Sequence, residues 1–218
     1  MGAGNFLAED RRSRMEDGRY PLSSILHHQA PKTQPSPWNL AAIAGRFIEI
    51  SASASTASLT LAFGLVREAQ NLREPVGWVT SMESFFYPPD AAHGGVDLAA
   101  LAVVRVLHAA SIPAAGEKLL RSGGFGLVVL DLGIADIPMP LQSRLTGLAQ
   151  RHHAALVCLT EKESRTFSLG SLVSLRAHAE RQRSSDHRFA YRLRVLKDKR
   201  RGPTWSHEEL CRGPAGLC

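Results

Sequence analysis

From residue 46 onward, apolar positions recur in two alternating rhythms. Short continuous apolar runs lie at residues 46–50 (RFIEI), 76–80 (VGWVT), 102–107, 127–132 (LVVLDL) and 154–160. Runs of this length read as strands buried on both faces. Between them the period changes to that of a helix. Residues 58–72 place Leu61, Leu65, Ala69 and Leu72 on one face, and residues 114–121 and 141–152 read as further helices. A short helix is expected at 97–101. Strands that alternate with helices predict βαβ units, so the expected fold is α/β with a mainly parallel sheet flanked by helices.

Near the C-terminus the period falls to two. Phe189, Tyr191, Leu193 and Val195 alternate with Arg188, Ala190, Arg192 and Arg194. That pattern predicts a half-exposed strand with an arginine-rich outer face. Leu172, Val173 and Leu175 suggest a partner strand before it. Two antiparallel strands are therefore expected at the C-terminal edge of the sheet. The organisation expected is an N-terminal arm over 1–37, a core over 38–200 and a basic tail over 201–218. The arm is expected to be partly flexible, with a short helix at 22–28 and a loop holding Pro31, Pro35 and Pro37.

Composition narrows the class. The 218 residues suit one domain, and 44% hydrophobic against 21% charged residues excludes disorder throughout. The net charge is +6. Between Arg176 and Arg212 there are eleven basic and five acidic residues, an excess of six that equals the net charge of the chain. Such a concentration suits nucleic acid, an acidic partner surface or a solvated basic tail. Cys158, Cys211 and Cys218 are spaced for neither a metal site nor a disulfide framework, and Cys158 sits in an apolar run. The first residues carry no apolar signal core, and no apolar run approaches the roughly eighteen residues of a membrane span. A cytoplasmic protein with no membrane partner is expected. His27-His28 and His152-His153 are adjacent pairs, poorly placed to share one ion; the second pair reads as a helix C-cap, and no metal site is expected. The serines of 51–60 form no nucleophile elbow.

The stretch after the first strand carries the most information. It reads Ala52-Ser53-Ala54-Ser55-Thr56-Ala57-Ser58-Leu59. A phosphate-binding loop at this place needs glycines for close backbone approach, a lysine for phosphate charge and a hydroxyl for magnesium. Gly45-Arg46-Phe47-Ile48-Glu49-Ile50 resembles the segment that enters the phosphate loop of bacterial RecA. Carried over position by position, Ala52 and Ala57 stand at the two glycines, Ser58 at the lysine and Leu59 at the metal-holding threonine. No lysine occurs between Lys32 and Lys118, so no shift of register restores one.

Further RecA-like matches follow in order. Gly94-Gly95-Val96-Asp97 is similar to a stretch after the second strand. Gly116-Glu117-Lys118 resembles the helix before the second nucleotide motif, and Leu127-Val128-Val129-Leu130-Asp131 resembles that motif, with Asp131 at the magnesium-steadying position. Val195-Leu196-Lys197-Asp198-Lys199 resembles a late strand whose lysines reach a neighbouring subunit's nucleotide. Glu83 lies one residue out of register with the family's catalytic glutamate and takes no role from it. The resemblance spans residues 44–200. Within the RecA-like superfamily, a short chain with a degraded loop resembles the ImuA family.

That resemblance implies a non-catalytic accessory protein of the bacterial SOS response that binds no cofactor. Its implied partners are RecA, ImuB and an error-prone C-family polymerase, and its implied role is to promote mutagenic translesion synthesis and to restrain recombination by RecA filaments. Candidate partner or DNA contacts are Arg188, Arg192, Arg194, Lys197, Lys199, Arg200 and Arg201, with Lys162 and Arg165 in the segment after the fifth core strand. Any DNA binding is expected to be weak and sequence-blind. Two alternatives remain: a residual DNA-dependent ATPase or single-strand binder using Asp131, Lys197 and Lys199, and a SulA-like division inhibitor.

Overall fold

The computed structural model describes residues 37–53, 57–84, 86–183, 188–203 and 205–212; for Arg183, Arg188, Cys211 and Arg212 it describes the backbone alone. The expected arm up to residue 36 and the tail beyond 212 lie outside these residues.

The chain forms α1 (Leu40–Ile43), β1 (Phe47–Ala52), α2 (Ala57–Asn71), β2 (Val76–Ser81), α3 (Pro88–His93), β3 (Leu101–Val106), α4 (Ile112–Ser122), β4 (Leu127–Gly133), α5 (Met139–His152), β5 (Ala155–Glu161), β6 (Leu175–Arg183), β7 (Arg188–Asp198) and β8 (Ser206–Arg212). The strands make one eight-stranded sheet in the order β3-β2-β4-β5-β1-β6-β7-β8. From β3 to β6 every neighbouring pair is parallel. β6–β7 and β7–β8 are antiparallel. The expected α/β architecture is thus observed.

Alternation along the central strands sends side chains into two cores. Ile48, Ile50, Trp78, Val129 and Val157 meet Leu61, Leu65 and Val66 of α2. Phe47, Val79, Val128, Leu130 and Leu156 meet Ile112 and Leu120 of α4 and Leu145 and Ala149 of α5. Burial on both faces explains why these strands read as unbroken apolar runs. The first core is anchored by Trp78, whose ring stacks on Phe63 at 5.1 Å and tilts against Phe86 at 5.2 Å. On the other face α4 lies close to β4. A Cβ at Gly116 would meet the Leu130 methyls, so glycine lets α4 approach without displacing them.

Three local expectations are corrected. Leu72 does not join the apolar face of α2. The helix ends at Asn71, and Leu72 is exposed where the chain turns through Arg73 in the left-handed region at φ 60°. Leu172 and Val173 are not in a strand. Val173 is buried in the second core with Leu172 packed against it, and pairing begins only at Leu175. The terminal edge has a further strand, since β8 occupies 206–212, within the stretch expected to be tail.

Candidate functional site

The connection from β1 to α2 is where a phosphate loop would lie. β1 delivers Ala52 buried at its carboxyl end. α2 begins with buried Ala57 and Ser58, and Leu59 is half-buried against the first core. Residues 54–56 between them are outside the described residues. Ser58 and Leu59 therefore face protein and a cavity where a lysine and a hydroxyl would be needed.

That cavity, of about 590 Å³, lies at the carboxyl ends of the parallel strands. Ala52 of β1, Ser81 of β2, Asp131 to Gly133 of β4 and Leu159 to Glu161 of β5 converge on it, with Glu83, Ser84, Ala109 and Ile134 from the following loops. Open α/β sheets place ligand crevices at this end of their strands. Its described lining is acidic and apolar. Glu83, Asp131 and Glu161 line it, and no described lining residue is lysine or arginine. Neither glutamate forms an ion pair with a described residue.

Asp131 has a local structural task. Its Oδ2 accepts hydrogen bonds from Thr80 Oγ1 at 2.9 Å and from Ser84 Oγ. Ser84 Oγ in turn accepts from the Phe86 N–H at 3.1 Å. The carboxylate thereby ties the turn after β2 to β4.

Glu49 carried no special signal in the sequence beyond being one acid in an apolar run. It is fully buried in β1 and organises a polar centre. Thr160 Oγ1 donates to Glu49 Oε1 at 3.2 Å. Ser168 Oγ and the Leu169 N–H donate to Oε2 at 2.7 and 3.0 Å. Lys162 Nζ lies 3.7 Å from Oε1 and Arg176 Nε 3.8 Å from Oε2. Arg176 also donates to the carbonyls of Thr166 and, at 3.4 Å, of Glu163. Lys162, a candidate DNA contact, is thus turned inward to Glu49. Arg165 stays exposed in the same segment, as does Phe167 at 91% exposure. Burial, and then the Glu49 charge, push the neighbouring Cys158 thiol well above its ordinary pKa.

The arginine-rich strand is largely partnered. Arg192 donates to Glu208 Oε2 from Nε at 3.2 Å and from Nη2 at 3.0 Å, and Arg194 lies 3.6 Å from Glu180. Lys197 and Lys199 converge on the Ser171 carbonyl at 3.4 and 2.7 Å. Burial, followed by the Lys199 charge, lowers the Lys197 pKa. Register pairs Lys197 with Arg176 and Arg176 with Glu49, so these lysines sit toward the amino ends of the parallel strands, away from the cavity. Arg200 and Arg201 are exposed in the turn after β7, while the side chain of Arg188 is outside the described set.

That turn is pinned by Asp198, which accepts from buried Arg46 at 2.7 Å, from Trp205 Nε1 at 3.1 Å and from the Arg200 N–H at 2.8 Å. Burial acts to raise the Asp198 pKa. The bonds from Arg200, Arg46 and Trp205 outweigh it, so the carboxyl is held below its ordinary value. At the end of α5, His153 adopts the left-handed cap conformation at φ 54°, and its N–H bonds to the Ala149 and Gln150 carbonyls. The described residues include no cluster of metal-ligating side chains and no helix long and apolar enough to cross a membrane.

Fold and site define an α/β protein with a mixed sheet and an acidic, apolar cavity at its strand ends. No family model matches the chain, and no curated protein matches it.

Proposed function

We propose that the protein is a RecA-like accessory factor that works by contact with other proteins and has given up nucleotide chemistry. The observation that carries this reading is the cavity. The place where a phosphate loop would cradle a nucleotide carries three carboxylates and leucine side chains, with Leu59 at the metal-hydroxyl position. A polyphosphate there would meet like charge, with no lysine or arginine among the described lining residues to offset it. Support for the RecA-like relationship comes from the ordered sequence matches over 44–200 and from a mainly parallel sheet with Asp131 near the end of β4. The resemblance to ImuA gives the proposal its setting: a cytoplasmic protein of the SOS response that promotes error-prone synthesis with ImuB and a C-family polymerase and restrains RecA filaments.

The test combines the full chain with RecA on single-stranded DNA and ATP, measuring strand exchange and the chain's own phosphate release. Slowed strand exchange without intrinsic hydrolysis is expected. DNA-stimulated hydrolysis by the chain alone would overturn the reading in favour of a residual ATPase. Co-sedimentation with FtsZ polymers, with RecA unaffected, would overturn it in favour of a SulA-like inhibitor. A second activity is favoured by one observation: Phe167 stands exposed beside Arg165, a stacking surface next to a cation, which suits weak and salt-sensitive single-strand binding.

A further inference from the structure

The loops that contribute lining residues to the acidic cavity also carry exposed apolar side chains. Met82 follows β2 and is 59% exposed, Leu107 follows β3 and is 70% exposed, and Ile134 follows β4 and is 84% exposed. The Met82 N–H bonds to the Val106 carbonyl at 3.1 Å, which holds the first two loops side by side. Ile134 itself lines the cavity. Exposed apolar residues in loops that border a crevice suit an interaction surface. The carboxylates of Glu83 and Glu161 stand within that surface without a cationic partner among the described residues.

We infer that this cavity is the docking site for a segment of a partner protein that presents an arginine flanked by apolar residues. Charge decides the occupant. Three acids, with no base among the described lining residues, repel nucleic acid and nucleotides and attract a cation. The apolar walls from Leu59, Leu132 and Leu159 suit the aliphatic stem of a long basic side chain, which can lie along them while its head reaches a carboxylate. Arginine fits better than lysine, because its planar fork pairs with carboxylates through two hydrogen bonds and sheds water more easily. The neighbouring apolar residues of the same segment cover Ile134 and Met82. Asp131, already engaged by Thr80 and Ser84, contributes its charge, and Glu83 and Glu161 supply the free acceptors.

The inference rests on the reading that the cavity no longer holds a nucleotide, and is independent of which pathway the partner belongs to. Its test uses the full chain with labelled methyl groups and two synthetic octapeptides, one centred on Leu-Arg-Leu and one on Leu-Glu-Leu. The arginine peptide is expected to shift the Leu59, Leu132 and Ile134 methyl signals saturably. The double variant Glu83→Gln, Glu161→Gln is expected to weaken that binding about tenfold, as loss of desolvated charge pairs does. Equal shifts from the two peptides, no shifts, or undiminished binding by the folded double variant would overturn the inference. Self-association of the chain that the double variant abolishes would assign the cavity to a second copy and also overturn it. Shifts of the same methyls by magnesium-ATP would instead overturn the reading under Proposed function, so the two failures are distinct.

Discussion

Glu49 shows how much one side chain can organise. It is fully buried, yet every oxygen has a donor, and it draws Lys162, Ser168, Leu169 and Arg176 onto β1. Removing one partner of such a set leaves the others buried and unpaired, which costs more than the set contributes while intact. Glu49→Ala should therefore destabilise the protein by about 3–5 kcal/mol in urea unfolding. Glu49→Gln, which keeps an acceptor, should cost less. Asp198 makes a pH-dependent contribution. Its folded pKa lies below the unfolded value, so its stabilisation is fully present above the ordinary aspartate pKa of about 3.9 and is lost as pH falls through the folded value. Asp198→Asn should lower stability at pH 7 and flatten that part of the acid limb. An acid limb unchanged in the variant would contradict the assignment.

At the scale of elements, the edge formed by β6, β7 and β8 turns a basic sequence into a paired surface. Glu208 of β8 lies opposite Arg192, and Glu180 of β6, itself opposite Arg192, reaches Arg194 diagonally, so two of the candidate cations are offset across strands. Exposed pairs of this kind stabilise by only about 0.2–1 kcal/mol each, but they reduce the free positive charge that a partner would meet. Removing residues 206–218 should leave β7 as an open edge. Its main-chain groups would then be unpaired beside Tyr191 and Leu193, and concentration-dependent aggregation should follow, read by light scattering.

The central strands were legible in the sequence because burial on both faces leaves continuous apolar runs, as in LVVLDL. β8 was not legible, because SHEELCR is an edge strand whose half-buried positions are the polar His207 and Glu209 while Leu210 is exposed. Leu172 and Val173 misled because a buried loop can supply apolar side chains to a core as a strand does. Of the site, the missing lysine and hydroxyl at Ser58 and Leu59 were visible in the chain. The convergence of Glu83, Asp131 and Glu161 was not, since it depends on three separate strand ends meeting in the fold.

The described residues separate much of their charge. Basic residues concentrate in the late strands and the turn at Arg200 and Arg201. Acids gather in the cavity where β1, β2, β4 and β5 end. Under the proposed function, an α/β body with that distribution holds proteins and does not hold nucleotides. The most direct measurement is calorimetric titration of magnesium-ATP into the full chain, with adenosine diphosphate as a second titrant. No saturable heat is expected from either nucleotide at millimolar concentration. Saturable one-to-one binding that Leu59→Asp abolishes would place a nucleotide in this cavity and contradict the account.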